Sequence, residues 1–318
     1  MNNVKIVYMG TPDFSVGPLK KLIENNYDVA LVVTQPDKEV GRKKEIKYSP
    51  VKEYALNNNI KVFQPQKIRE DYDEILAVKP DIIITCAYGQ IIPKILLDYP
   101  QYKCINIHAS LLPKLRGGAP IHKAIIDGYD KTGVTIMYMD EKMDSGDIIY
   151  QEEVLIEEND NVGTLFDKLS VLGSNMIIKV LPDIINGNIN SIEQNEEEVT
   201  YAYNITREEE KIDFNKTTKE VFNKIRGLYP WPVGYAILND KKVKIYNSKI
   251  GLLNKDGKPG EIINIYKDSI GVKTIDGEIL LTEIQFEGKK RVLVKDYLNG
   301  LQDKNNILGK VFTWYINY

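Results

Sequence analysis

Histidine is scarce in this chain. Its 318 residues hold two, His108 and His122, beside two cysteines and two tryptophans. So few, so far apart, they form no Cys/His cluster at zinc-site spacing, and no metal is expected. Cys86 and Cys104 both fall in apolar, strand-like stretches. They read as small buried hydrophobes of a reducing compartment and not as a disulfide frame. No apolar run approaches the ~18–20 residues of a membrane-spanning helix. The pattern of a strand begins at Val4, which leaves no signal peptide, and a cytoplasmic protein is expected. A Gly-x-Ser-x-Gly elbow is absent as well, which argues against a hydrolase triad of Ser110, His108 and Asp144. The first glycine turn, Gly10-Thr11-Pro12-Asp13-Phe14, lacks the Gly-x-Gly-x-x-Gly pattern, and Pro12 has no N–H to offer a phosphate. It reads as a tight turn at a site rim, not as a dinucleotide site.

What is present is ordinary in bulk and uneven in detail. Hydrophobic content of 43% and charged content of 27% mark a soluble globular protein, and 318 residues suggest two domains. The net charge of -3 hides an asymmetry. Residues 203–318 carry 20 Lys and Arg against 15 Asp and Glu, whereas residues 1–202 carry 22 against 30. A basic last third on an acidic body suits a polyanion partner or, equally, a solvated lysine surface.

Strand and helix patterns alternate through the first 150 residues. Strands are expected at 4–9, 29–34, 62–63, 81–85, 104–108 and 133–138, and helices at 15–24, 50–57, 72–78 and 119–127. This rhythm predicts an α/β, doubly wound, mostly parallel sheet whose site lies at the carboxyl ends of its strands. Asn161 caps a long amphipathic helix with an apolar face of Val162, Leu165, Phe166, Leu169, Leu172, Met176 and Val180, stopped at Gly187. The polar stretch 188–199 reads as a linker. After a helix at 217–226 the pattern changes to five short strands separated by turns such as Asn239-Asp240 and Asp276-Gly277, which suggests a small OB-like barrel. The expected domains are 1–189, a linker at 190–206, and 207–318.

Chemistry concentrates in two stretches. In the strand pattern ending at His108, Asn106 and His108 are two residues apart and point to one face. Asp140, Asp144 and Asp147 follow the 133–138 strand, in Asp140-Glu141-Lys142-Met143-Asp144-Ser145-Gly146-Asp147. An amide, an imidazole and a carboxylate meeting at strand ends can move protons and hold an oxyanion without a metal.

The run Asn106-Ile107-His108-Ala109-Ser110-Leu111-Leu112-Pro113, followed by Gly117-Gly118-Ala119-Pro120-Ile121, resembles the folate-dependent formyltransferase family. So does the run 133–149. Residues 4–14, the basic loop 35–48, Lys224-Ile225-Arg226-Gly227-Leu228-Tyr229-Pro230-Trp231-Pro232 and Phe286-Glu287-Gly288-Lys289-Lys290-Arg291 extend the resemblance almost end to end, toward the branch that acts on charged tRNA. The chain departs from the family pattern at Lys114-Leu115, Gly118 and Tyr229. The resemblance implies a Rossmann-like formyltransferase core with a C-terminal OB-like barrel that binds tRNA. It implies 10-formyltetrahydrofolate as co-substrate and the amino group of methionyl initiator tRNA as acceptor, with no membrane partner and a monomeric enzyme. Asn106, His108 and Asp144 would be catalytic. Ser110, Leu111, Leu112 and Pro113, with Tyr88, Gly89, Gln90, Ile91 and Ile92, would shape the folate side. Arg42, Lys43 and Lys44, with Lys289, Lys290 and Arg291, would contact tRNA. Other readings stay open: formylation of a small phosphorylated amine or an amino sugar nucleotide, formyl-folate hydrolysis, or RNA binding on a decayed core. The small substrates leave the basic last third unexplained, and the intact Asn106, His108 and Asp144 weigh against decay.

Overall fold

Strand β1 (Lys5–Gly10) is buried at every residue but the first, with Ile6, Val7, Tyr8 and Met9 fully enclosed. A strand apolar on both faces belongs inside a parallel sheet covered by helices. The computed structural model describes residues 4–41 and 44–313. Those residues divide into two compact units. The first comprises the chain up to Pro120, with Lys131–Leu155 and Phe166–Tyr203; the second comprises Ile121–Asp130, Ile156–Leu165 and the chain from Asn204. Packing therefore does not follow the expected boundaries at 189 and 206. Much of the anticipated linker folds with the first unit, because its residues make specific bonds there.

The strands of the first unit continue as β2 (Asp28–Val33), β3 (Lys38–Val40), β4 (Glu45–Lys47), β5 (Val62–Phe63), β6 (Ile82–Cys86), β7 (Cys104–His108), β8 (Lys131–Tyr138) and β9 (Ile148–Leu155). Seven of them form one sheet in the order β5-β2-β1-β6-β7-β8-β9. It is parallel from β5 to β7; β8 and β9 each run antiparallel to the preceding strand. The sheet is thus mostly parallel, as the alternation predicts. β9 was not legible as a strand, since Glu152 and Glu153 interrupt its pattern. It is the sheet's edge, and those acids pair with Lys179 and Lys131, charges that suit an edge. The flanking helices are α1 (Val16–Glu24), α2 (Pro50–Asn57), α3 (Asp73–Val78) and α4 (Lys94–Asp98). β3 and β4 form a separate hairpin within the loop expected to be irregular.

In the second unit, α5 (Pro120–Ile126) contributes its residues from Ile121 on. The long helix α6 (Val162–Ile185), which belongs to the first unit from Phe166 on, follows the expected apolar periodicity, with Val162, Leu165, Leu169, Met176 and Val180 all buried. α7 (Thr218–Arg226) starts at a capping box of Thr217 and Glu220. Strands β10 (Tyr235–Leu238), β11 (Lys241–Leu253), β12 (Ile262–Ile265), β13 (Ile270–Lys273) and β14 (Gly277–Phe286) pair antiparallel along the path β10-β11-β14-β13-β12. β15 (Val292–Leu293) pairs with β14 and leads into α8 (Val294–Asn299). Asn239 and Asp240 both have positive φ, 50° and 58°, as a two-residue hairpin turn between β10 and β11 requires. Residues 309–313 then join both ends of the path. Gly309 N–H donates to Ile262 and Phe312 N–H to Gly260, while Thr313 and Ile237 exchange bonds of 2.7 and 2.8 Å. The core inside holds Phe214, Val221, Ile225, Val243, Ile245, Val272, Ile279 and Leu281.

Candidate active site

β7 carries the amide and the imidazole, on one face by strand alternation. Beside it, Thr85 of β6 sits opposite Asn106 in register and donates its hydroxyl to Asn106 Oδ1 at 2.9 Å. With that oxygen engaged, the amide nitrogen faces Asp144 Oδ1, 3.5 Å away. His108 is 6% exposed, and its Nε2 lies 3.1 Å from the Leu115 carbonyl oxygen. A carbonyl only accepts, so Nε2 carries a hydrogen. Nδ1 is the nitrogen left to face Asp144 Oδ2, at 3.7 Å. It is an acceptor in the neutral ring and a donor in the imidazolium.

Asp144 lies in the loop between β8 and β9 with φ 52°, a left-handed conformation that aspartate tolerates. Its Oδ2 accepts the Gly117 N–H at 2.8 Å. Gly117 has φ 123°, and a Cβ there would stand 2.7 Å from the Ala202 carbonyl oxygen, so the close approach requires glycine. Asp140 builds the loop, accepting from Lys142 N–H at 3.0 Å and from the Ser145 hydroxyl at 2.7 Å. Asp147 accepts from the Ser191 hydroxyl at 3.1 Å. The structure therefore brings Asn106, His108 and Asp144 together and leaves Asp140 and Asp147 to hold the loop.

Sequence reasoning missed the supports of this trio. Thr85 gave no signal, because register between β6 and β7 is not a local pattern. Arg116 and Gln194 are 3% and 5% exposed; Gln194 lies in the stretch read as a linker, and Arg116 gave no signal of its own. Arg116 donates to Gln194 Oε1 from Nε at 3.1 Å and Nη2 at 2.9 Å. Gln194 Nε2 donates to the carbonyl oxygens of Asp144 at 2.9 Å and Gly146 at 2.8 Å.

The segment Ser110–Pro113 is fastened to the antiparallel strands. Thr135 of β8 donates its hydroxyl to the Ser110 carbonyl at 2.6 Å and accepts the Leu112 N–H at 3.1 Å. Gln151 of β9 donates to the Leu112 carbonyl oxygen at 2.8 Å. Ser110 and Leu112 are buried, whereas Leu111 and Pro113 are half-buried. The 88–92 segment is a wall held from behind. Tyr88 and Ile92 belong to the core, Gly89 turns with φ 88°, and Gln90 accepts the Ile68 N–H at 2.8 Å. Ile91 is 62% exposed. The Tyr88 hydroxyl is buried with no partner among the described residues.

Of the expected tRNA contacts, Arg42 and Lys43 lie outside the described residues. Lys44 is exposed beside the β3–β4 hairpin, 3.6 Å from Glu39. Lys289 and Lys290 are exposed in the second unit. Arg291 is forked onto Glu283 at 2.6 and 2.7 Å, with its guanidinium 4.3 Å from the Tyr246 ring centre. His122 Nδ1 lies 2.9 Å from the Gly227 carbonyl oxygen, and burial holds its pKa below the usual histidine value. No group of three His, Cys, Asp or Glu able to hold a metal occurs among the described residues.

The formyl transferase family model matches residues 3–181, more than half of the chain, and the model of the formyl transferase C-terminal domain matches 204–302. The chain belongs to the formyltransferase family. Among this formyltransferase's relatives, the methionyl-tRNA formyltransferase of Bacillus licheniformis is 53% identical over 299 residues, 93% of this chain and 95% of that one. That of Bacillus subtilis is 52% identical over 309 residues, 96% of this chain and 98% of that one. Among solved structures, an N-formyltransferase from Helicobacter canadensis, in complex with folinic acid and dTDP-3-aminofucose, superposes with a TM-score of 0.65 at 25% identity, over 87% of this chain and 98% of that one.

Proposed function

We infer that this formyltransferase moves the formyl group of 10-formyltetrahydrofolate onto the free amino group of methionyl initiator tRNA, giving N-formylmethionyl-tRNA for translation initiation. The observation that carries this is the end-to-end likeness, above half identity, to methionyl-tRNA formyltransferases, together with an Asn106–His108–Asp144 cluster whose donors and acceptor converge. The exposed Ile91, on a segment held from behind by Tyr88 and Ile92, suits the apolar face of a ring such as the pterin.

The chemistry follows from atoms already placed. The amine nitrogen attacks the formyl carbon, and the carbonyl oxygen becomes an oxyanion. Asn106 Nδ2, aimed by Thr85, and protonated His108 Nδ1, aimed by the Leu115 carbonyl, donate to that oxygen. The Asp144 carboxylate faces both donors and takes the proton of the attacking amine, directly or through water. The oxyanion then re-forms the carbonyl, the bond between the formyl carbon and folate N10 breaks, and N10 receives the proton that Asp144 took from the amine, leaving tetrahydrofolate. We place tRNA contacts on Arg42, Lys43 and Lys44 and on Lys289 and Lys290. Arg291, already paired with Glu283, would reach phosphate only by exchanging partners. We also propose that the enzyme is a cytoplasmic monomer, testable by light scattering.

The test is direct. Labelled 10-formyltetrahydrofolate is mixed with methionyl initiator tRNA, with free amino acids and with an amino sugar nucleotide. Formylation of the tRNA alone is the expected result, and transfer to the sugar nucleotide in its place would overturn the reading.

A further inference from the structure

We propose that Gln194 and Arg116 form a buried clamp that positions the Asp144 carboxylate for formyl transfer. This rests on the functional reading above and adds residues to it from outside both signature stretches. Gln194 uses its whole amide. Two hydrogens go to carbonyl oxygens on either side of the catalytic loop's turn, at 2.9 and 2.8 Å, and its oxygen takes two hydrogens from Arg116, at 3.1 and 2.9 Å. No rotation of the amide gives the same four bonds, because swapping oxygen and nitrogen would set donors against donors. Arg116 is fixed in turn. Its Nη2 pairs with Glu196 at 2.8 Å, its N–H donates to the Thr200 carbonyl at 2.9 Å, and its carbonyl accepts the Ala202 N–H at 2.7 Å.

Asp144 needs such support. It holds a left-handed φ of 52°, in a loop whose side-chain contacts are otherwise polar and close to the surface. The clamp closes a ring. Gly117, the residue after Arg116, gives its N–H to Asp144 Oδ2 at 2.8 Å, while Arg116 reaches the Asp144 backbone through Gln194. Carboxylate and backbone of one residue are thus tied to two adjacent residues. A general base is useful only when its oxygen sits within hydrogen-bond reach of the proton it takes.

Gln194→Glu discriminates between roles. The carboxylate keeps an acceptor for Arg116 but loses both donors and sets negative oxygen against two carbonyls. A residue that served only to pair Arg116 would tolerate it. The expected result is a fall in kcat of about 10- to 100-fold, the scale of a ~1 Å misplacement. KM for both substrates stays near the parent's, while the thermal midpoint falls, because two buried carbonyls lose their donor. In an Asp144→Ala background the same change has no further effect, because the clamp acts through Asp144. Amide exchange at Gly117 and through 140–147 quickens in Gln194→Glu. Gln194→Ala, whose gap admits water, gives the same pattern should the charged variant fold poorly. Parent-like kcat, an undiminished loss in the Asp144→Ala background, or unchanged exchange overturns the clamp. A parent enzyme that leaves methionyl-tRNA unformylated overturns the functional reading, and the exchange measurement still decides the clamp.

Discussion

Asn106 and His108 were legible because a strand has period two, and a polar pair two residues apart on an apolar strand marks one face. We expect Asn106→Ala and His108→Ala each to lower the single-turnover rate by roughly 10²- to 10⁴-fold while the protein still folds. A parent-like rate in either would remove that residue from the chemistry. Asp144→Asn keeps the shape but not the basicity, so its loss should persist as pH is raised; recovery at high pH would instead assign Asp144 to orientation alone. Thr85, Arg116 and Gln194 were not legible, since their partners lie across strands or some 80 residues away and no local periodicity encodes them. The cysteines were read correctly as buried. Both are free thiols, and burial pushes Cys86 up to about 12. Neither should react with a thiol reagent in the native protein at neutral pH, and labelling before unfolding would contradict their burial.

At the scale of elements, periodicity placed most helices and the central strands, while edges escaped it. β9 hid behind its glutamates, and the β3–β4 hairpin behind a polar composition that a mobile loop shares. The hairpin's strands are short and exposed at Glu45–Lys47, and its base is held where Gln64 donates to Asp37 at 2.9 Å. That bond sets where the hairpin carrying Lys44 leaves the sheet. Lys44→Glu should therefore raise KM for methionyl-tRNA and leave folate affinity alone; equal KM values would take Lys44 out of the RNA contact. Between α5 and the 204–210 stretch, Glu209 makes a testable acid-sensitive tie. Partial burial pushes its carboxyl up, but bonds from Lys123 and from the Thr206 N–H and hydroxyl outweigh that and hold it at about 2. The folded value is below the unfolded ~4.3, so the tie contributes fully above that value and is lost as pH falls toward 2. Urea unfolding of Glu209→Gln should show a smaller loss of stability between pH 5 and 2 than the parent; identical slopes would refute the tie.

For the whole molecule, the charge asymmetry that composition left undecided has a measurable consequence. The excess of basic residues falls beyond residue 203, in a family whose relatives here are named for a tRNA substrate. Affinity for methionyl-tRNA should fall as salt rises, log-linearly, with a slope set by the phosphates neutralised. Affinity for folate should change little, and a flat tRNA profile would detach the basic region from RNA binding. The join made by residues 309–313 has a consequence for how such a chain matures. During synthesis β10 and β12 emerge before their last neighbour and stand as two open edges, each able to capture a strand from another nascent copy. The antiparallel sheet is thus most vulnerable just before it is finished. Slow decoding near its end would lengthen that interval, and a chaperone that covers strand edges would matter most there.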